Sequence, residues 1–200
     1  NKISNRNATA YGLIDRDFRT VEELNCLRNE NIYSLEVAEV ENLFLIECFI
    51  RALIAYKNES CDIEKKKIKI IKKLDQDKEQ QVSNYVSSRI NYHFKESHVR
   101  KGNTKEEISK YFDSFKDEIN IEQWYSERLD KINKIIDNED YEKAIMIYNN
   151  KGLHGIVEDV LGYKSNEYRK KALSFLQDID EAKNILRNKF PTEINMIKEK

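Results

Sequence analysis

The sequence is poor in the residues that break helices and in paired cysteines. It contains one proline, five glycines and three cysteines, and no two cysteines show CxxC spacing. The scarcity of proline and glycine argues against a collagen-like or low-complexity chain. An odd number of scattered cysteines argues against a disulfide framework or a zinc site built from cysteine pairs. We therefore expect reduced thiols and a cytoplasmic location.

Long apolar runs and an excess of one charge are also missing. The longest apolar-rich stretch, 40–56, is interrupted by Glu41, Asn42, Glu47 and Arg51, which is typical of a buried helix rather than a membrane span. The 35 basic residues nearly balance the 36 acidic ones. Any binding of nucleic acid must therefore depend on a local patch. No P-loop or dinucleotide fingerprint is present, so an ATPase activity has no support, and we expect no membrane contact.

The first 58 residues alternate between strand and helix signals. The predicted elements are a strand over 10–15, a helix from Thr20 to about residue 29 with Glu23 completing a capping box, a strand over 32–37 and a helix over 39–56. This order predicts two parallel neighbouring strands, as in an α/β unit. We therefore predict an α/β fold class for residues 1–58.

Strand signals disappear after residue 58, and the rest of the chain has helical spacing. The predicted helices lie at about 62–94, from Thr104 onward, and at 121–137, 140–148, 165–178 and 180–189, with a loop marked by Lys151, Gly152 and Gly155. The sequence thus predicts a part of a parallel sheet in residues 1–58, joined to a large all-helical C-terminal region, 59–200.

Two aspartates stand two positions apart where the first predicted strand ends. Alternate residues of an extended chain point to the same side, so Asp15 and Asp17 can face one cation while Arg16 points away. Magnesium prefers oxygen ligands, and α/β sheets bind ligands at the carboxyl ends of their strands. The pair predicts a Mg²⁺ or Mn²⁺ site, with two solvated turn residues as the plainer alternative.

Three glutamates follow the second predicted strand, at Glu36, Glu39 and Glu41. Acidic residues are favoured in the first turn of a helix by its dipole, which is the simplest interpretation. If the two strands are parallel neighbours, however, this turn lies beside Asp15 and Asp17. Carboxylates that converge there repel one another unless a cation is bound. We select Glu41 as the third metal ligand.

A basic run is a further candidate for binding. It consists of Lys65, Lys66, Lys67, Lys69, Lys72 and Lys73. Such a run can follow a phosphate backbone. Acidic residues flank it on both sides and cancel much of the charge, so a solvated helix face is the plainer interpretation.

Several segments resemble a Toprim-like family of nucleases from bacterial anti-phage defence, whose members accompany or are fused to ABC-type ATPases. The segments that carry this resemblance are Gly12–Phe18 (GLIDRDF), Glu22–Leu24, Ile32–Leu35 (IYSL) and Glu39–Leu45 (EVENLFL), with further likeness to the family's helical tail at Asn150–Gly152, Tyr168–Arg169 and Leu186–Pro191. The resemblance covers most of the chain and is specific over residues 11–45.

The resemblance implies a metal-dependent nuclease that an ATPase sensor releases or activates. Asp15 and Asp17 would bind Mg²⁺ or Mn²⁺ together with Glu41, and the substrate would be RNA, with transfer RNA as one candidate, or DNA. Lys151, in the Asn150–Gly152 segment, could neutralise phosphate charge in the transition state. Toprim enzymes carry a further glutamate on an earlier strand, for which this sequence shows no counterpart.

Two further expectations follow from the resemblance. An upstream piece of the same protein, or another copy of the chain in a homodimer, should cover the first strand, and the chain alone should support no turnover. A different class of function stays open. In that alternative the acidic cluster is residual, and the helical region is a regulatory module that docks onto an ABC-type ATPase.

Overall fold

The computed structural model describes residues 10–196, which form a mainly helical protein with one small parallel sheet. The elements are β1 (Gly12–Ile14), α1 (Val21–Asn29), β2 (Ile32–Ser34), a 3-10 helix (Val40–Leu45), α2 (Glu47–Lys57), α3 (Ile63–Glu96), α4 (Lys105–Asp117), α5 (Ile121–Asp137), α6 (Tyr141–Ile147), α7 (Leu153–Leu161), α8 (Glu167–Asp178), α9 (Asp180–Arg187) and α10 (Thr192–Met196).

The two strands are parallel neighbours, as the alternation of strand and helix signals predicts. Their register pairs Gly12 with Ile32, Leu13 with Tyr33 and Ile14 with Ser34. The helix between them begins at Thr20, whose hydroxyl accepts a hydrogen bond from the Glu23 backbone while the Glu23 carboxylate accepts one from the Thr20 backbone. This capping box confirms the predicted start of α1. Both strands are shorter than predicted, and the part of the chain that the structure describes contains no third strand.

The predicted helix over 39–56 is wrong in one respect, because it is divided in two. A 3-10 helix ends at Leu45, and α2 begins at Glu47. Between them, Ile46 has an extended ψ of 131°, which no helix can contain. Both segments are rich in buried apolar residues, so the sequence shows an uninterrupted hydrophobic pattern across a break that tertiary packing imposes.

One hydrophobic core extends across the predicted boundary near residue 58. The buried cluster includes Leu35 and Phe49 on one side of that boundary and Ile132 and Phe175 on the other. The 34-residue helix α3 lies at its centre and packs against α5, α6 and α7, while α2 packs against α8 and α9. Within residues 10–196, no helix combines the length and apolar character needed to cross a membrane.

Helix α7 was not predicted, because Gly152 and Gly155 indicated a loop. The helix begins at Leu153, and Gly155 lies inside its first turn. Leu153 and Val157 are fully buried one helical turn apart. Burial of two such side chains stabilises a helix by about 3–6 kcal/mol, which exceeds the cost of about 1 kcal/mol for one internal glycine. Tertiary packing therefore determines that this segment is helical.

Candidate metal centre

Three carboxylates meet at the carboxyl edge of the parallel strand pair. Asp15 directly follows β1, Asp17 is two residues further on, and Glu39 follows β2 after a bent segment over 35–38. One ligand oxygen from each lies within 4.8 Å of the other two. The parallel arrangement explains the meeting, because the carboxyl ends of both strands lie at the same edge.

Backbone contacts hold the two loops that carry these carboxylates against each other. The Val40 N–H donates to Asp15 Oδ1 at 3.0 Å, and the Asp17 N–H donates to the Ala38 carbonyl at 2.9 Å. Asp17 itself has a φ of 46°, in the left-handed region where aspartate and asparagine are the best tolerated residues after glycine. The turn through Asp15 and Asp17 is therefore fixed by the segment that presents Glu39.

Both oxygens of Asp17 accept hydrogen bonds from neighbouring side chains. Arg19 Nη1 donates to Asp17 Oδ2 at 2.7 Å and to the Asp15 carbonyl at 2.8 Å. Asn149 Nδ2 donates to Asp17 Oδ1 at 3.2 Å. These two hydrogen bonds fix the orientation of the Asp17 carboxylate.

Glu39 is the buried member of the group. It is 4% exposed, and desolvation raises its pKa above the usual value. Repulsion from Asp17 and Asp15 raises the pKa further, while the positive charge of Lys151 opposes the shift. Lys151 Nζ lies 3.8 Å from Glu39 Oε2, and its side chain is otherwise exposed. The structure therefore places Lys151 at the rim of the site.

Glu41 does not belong to this group of three carboxylates. Glu39 occupies the position for which the sequence analysis selected Glu41. Glu39 has extended backbone angles, and the 3-10 helix begins only at Val40. Its side chain is buried together with its neighbours Val37 and Ala38. The sequence signal for Glu39 is only its place after the second strand, which it shares with Glu36 and Glu41. At Glu41, the backbone carbonyl accepts a hydrogen bond from His154 Nε2 at 3.0 Å.

Asn42 fixes the end of α6 beside the metal centre. Its side chain is fully buried, and Asn42 Nδ2 donates to the carbonyls of Ile145 at 2.9 Å and Tyr148 at 3.0 Å. The Ala38 N–H also donates to the Ile145 carbonyl at 3.4 Å. The loop that follows Tyr148, which carries Asn149 and Lys151, is thereby held against the acidic cluster.

Helix α3 supports the same loop from the other side. Gln81 exchanges two hydrogen bonds with the backbone of Asn149, at 3.0 and 3.1 Å. The Tyr148 hydroxyl donates to Asp77 Oδ2 at 2.5 Å, and Asn150 Nδ2 donates to the same oxygen at 3.3 Å. Burial opposes ionisation of Asp77, but these donors, together with Lys73, lower its pKa overall. The aspartate therefore remains an anionic anchor for the loop.

The donor set fits a hard divalent cation. Carboxylate oxygens are the ligands that Mg²⁺ and Mn²⁺ prefer, and three of them converge here. Arg19 and Lys151 supply two nearby positive charges for three carboxylates. A buried anion such as Glu39 is costly unless positive charge compensates it. Arg19, Asn42 and Asn149 complete the site and carried no sequence signal of their own, because their roles depend on contacts between distant segments.

No protein-family model matches this chain, and comparisons with curated proteins and with solved structures found no match. The chemistry of the site itself must therefore carry the functional assignment.

Proposed function

We propose that this chain carries the metal site of a Mg²⁺- or Mn²⁺-dependent, Toprim-like endonuclease that cleaves phosphodiester bonds in RNA or DNA. The meeting of Asp15, Asp17 and Glu39 at the carboxyl edge of two parallel strands carries the proposal. A centre of this kind is suited to phosphate chemistry, because a divalent cation bound by carboxylates retains coordination positions for water and phosphate oxygens.

Each residue of the centre has a role in this proposal. Asp15, Asp17 and Glu39 would hold the cation, which supplies polarisation of a phosphoryl oxygen and activation of water when bound. Asn149 orients Asp17 through its 3.2 Å hydrogen bond. Lys151 has an exposed side chain 3.8 Å from Glu39 and can turn toward a phosphate oxygen, where its charge stabilises the transition state.

The biological setting rests on the resemblance of Gly12–Phe18 and Glu39–Leu45 to nucleases of anti-phage defence. In that setting the chain is the cytoplasmic effector of an ABC-type ATPase sensor, with RNA, including transfer RNA, or DNA as its target. One observation supports an additional strand beside β1. Within the described residues β1 pairs with β2 alone, and an open strand edge favours pairing with another segment or with a second copy of the chain.

The proposal is tested by measuring cleavage of labelled transfer RNA and duplex DNA by the full-length protein, with Mg²⁺, Mn²⁺ or EDTA. Asp17→Asn and Glu39→Gln should lower the metal-dependent rate by about 100-fold or more, as expected for loss of a ligand that stabilises transition-state charge. Glu41→Gln is the matched control and should retain the rate. Cleavage that survives Asp17→Asn would contradict the proposal. Absence of cleavage, with stoichiometric binding of an ABC-type ATPase, would favour the docking module.

A further inference from the structure

An open groove of about 450 Å³ separates the middle of α3 from the beginning of α7. Lys69, Lys72, Lys73 and Gln76 line its α3 wall. Their spacing of three, four and seven residues places them on one face of the helix. Three members of the basic run therefore share one concave surface, and the structure distinguishes them from the other lysines of the run.

The lysines of this groove exceed the carboxylates that pair with them. Lys69 pairs with Asp159 across the groove, and Lys73 pairs with Asp77 at 2.9 Å, while Lys72 is exposed. Partly exposed ion pairs of this kind contribute about 0–1 kcal/mol each. An anionic ligand can therefore exchange with the carboxylates at little cost. The groove is a basic surface with a residual positive charge.

The α7 wall leaves room for a ligand and adds positive potential. A Cβ atom added at Gly155 would meet no atom within 4 Å, so the space beside this residue is open. Helix α7 begins after Gly152 without a side-chain cap. The first N–H groups of a helix carry a partial positive charge that attracts anions. Together with the lysines opposite, they provide two walls that both favour a phosphate group.

A continuous series of contacts connects the groove with the metal centre. Lys73 pairs with Asp77, which accepts a hydrogen bond from Asn150 at 3.3 Å. The next residue, Lys151, lies 3.8 Å from Glu39. The groove, which Gly152 also lines, and the carboxylates therefore adjoin the same loop.

The basic wall of the groove is extended rather than point-like. Lys69 and Gln76, at its two ends, are seven residues apart, which is about 10 Å at 1.5 Å per residue. Phosphates of one strand are spaced roughly 3.4 Å apart along a duplex, so the wall spans about three phosphate steps. A polyphosphate backbone can therefore contact more of this wall than a single small anion can.

We propose that the α3–α7 groove binds the phosphodiester backbone of the nucleic-acid strand that is cut at Asp15, Asp17 and Glu39. This inference rests on the proposed nuclease function and identifies how the substrate approaches. Contacts of lysine with phosphate position a strand without reading its bases. Binding should therefore depend strongly on salt and weakly on sequence.

Binding is tested with the 200-residue chain in EDTA, so that it does not depend on the metal centre. Fluorescent RNA and DNA duplexes of equal length are titrated by anisotropy from 50 to 300 mM salt. The triple substitution Lys69→Gln, Lys72→Gln and Lys73→Gln should weaken binding about tenfold and reduce the slope of log K against log salt by about 2–3. The matched control replaces the α4 lysines Lys105, Lys110 and Lys116 by glutamine and should bind as the wild type does.

A second pair of variants leaves every lysine in place. Gly155→Glu puts a carboxylate into the open space of the groove, and Gly155→Gln adds a side chain of the same size without charge. Only Gly155→Glu should weaken binding, by about threefold or more. Equal losses in the two would show that bulk and not charge matters, which would contradict the proposal.

The remaining outcomes separate this inference from the proposed function. If Mn²⁺ stabilises the wild-type protein but the protein binds neither duplex, the groove proposal is overturned and the metal site stands. The same conclusion follows if the α3 and α4 triple variants lose binding affinity equally. Full competition by poly-glutamate at equal charge would indicate an acidic protein partner and would also overturn it. If RNA or DNA binds through the groove but Mn²⁺ does not stabilise the protein, the proposed nuclease function is overturned instead.

Discussion

Asn149 donates a hydrogen bond to Asp17 at 3.2 Å, although the two residues are 132 positions apart in the chain. This contact joins the loop after α6 to the turn after β1. The carboxylate pair and the helical region therefore form one site, in which α3 positions the loop through Gln81 and Asp77. Stability of the helical region and geometry of the acidic centre should thus change together.

Asn42→Ala should destabilise the protein by about 1–3 kcal/mol. The substitution removes the side-chain donor for the carbonyls of Ile145 and Tyr148; the Ile145 carbonyl keeps the Ala38 N–H, whereas the buried Tyr148 carbonyl loses its partner, at a cost of about 1–3 kcal/mol. Urea denaturation followed by circular dichroism measures the change. Asn91→Ala, on an exposed position of α3, is the control and should change the free energy of unfolding by less than about 0.5 kcal/mol.

Lys66→Met should stabilise the protein near neutral pH. Lys66 is fully buried, and burial lowers the pKa of its ammonium group to about 8; its Nζ donates to the Tyr141 hydroxyl at 3.0 Å. Between that pKa and the unfolded value of 10.5, the unfolded chain binds more protons. The contribution of Lys66 to the free energy of unfolding therefore rises with pH across this window.

The measurement for Lys66 is the free energy of unfolding of wild type and Lys66→Met from pH 7 to 10.5. The difference between them should narrow by about 3 kcal/mol as the pH rises, which corresponds to the pKa shift. Lys65→Met, at an exposed position of the same helix, should give a profile parallel to that of the wild type. A difference that is independent of pH would show that Lys66 is not buried in its charged form.

Glu39→Gln should stabilise the metal-free protein at neutral pH. The pKa of Glu39 is raised in the folded state, so its contribution to stability is present below the unfolded value of 4.5 and is lost as pH rises through the folded pKa. Glutamine mimics the protonated form at every pH. In EDTA the variant should therefore be more stable than the wild type at pH 7, with the advantage shrinking below pH 4.5.

Glu36→Gln is the control for this comparison, because Glu36 is exposed and lies three residues before Glu39 in the same segment. The substitution should change the free energy of unfolding by less than about 0.5 kcal/mol both at pH 4 and at pH 7. Thermal or urea unfolding at pH 4 and pH 7 measures both variants. A Glu39→Gln protein less stable than the wild type at pH 7 in EDTA would show that the carboxylate is stabilised by its neighbours without metal.

The sequence predicted the parallel strands, the Thr20 capping box and most helices because these depend on local patterns. Helix α5 has the predicted bounds, since it carries a regular apolar spacing and an Asn120 cap. The break at Ile46 and the helix through Gly155 follow instead from packing between distant segments. Local propensity carries no information about either.

The residues of the metal centre, too, were predicted from the sequence only in part. The spacing of Asp15 and Asp17 predicted their proximity. Lys151 also lies at the rim of the metal centre, 3.8 Å from Glu39. Glu41 was selected within a helix predicted to begin at residue 39. In the structure Glu39 has extended backbone angles and the 3-10 helix begins at Val40, and Glu39 is the glutamate that lies beside the two aspartates. Asn149 was not identifiable, because its partner lies in a segment that only the tertiary fold brings close.

Asp15, Asp17 and Glu39 should bind a divalent cation, a claim that is tested by thermal unfolding with and without Mn²⁺ or Mg²⁺. A cation at about 100 times its Kd stabilises the folded state by about 2.7 kcal/mol, which raises the Tm by about 5–10 °C for a chain of this size. Wild type and Glu41→Gln should show this shift, whereas Asp17→Asn, which retains the left-handed turn, and Glu39→Gln should lose it. Equal shifts in all four proteins would contradict the claim.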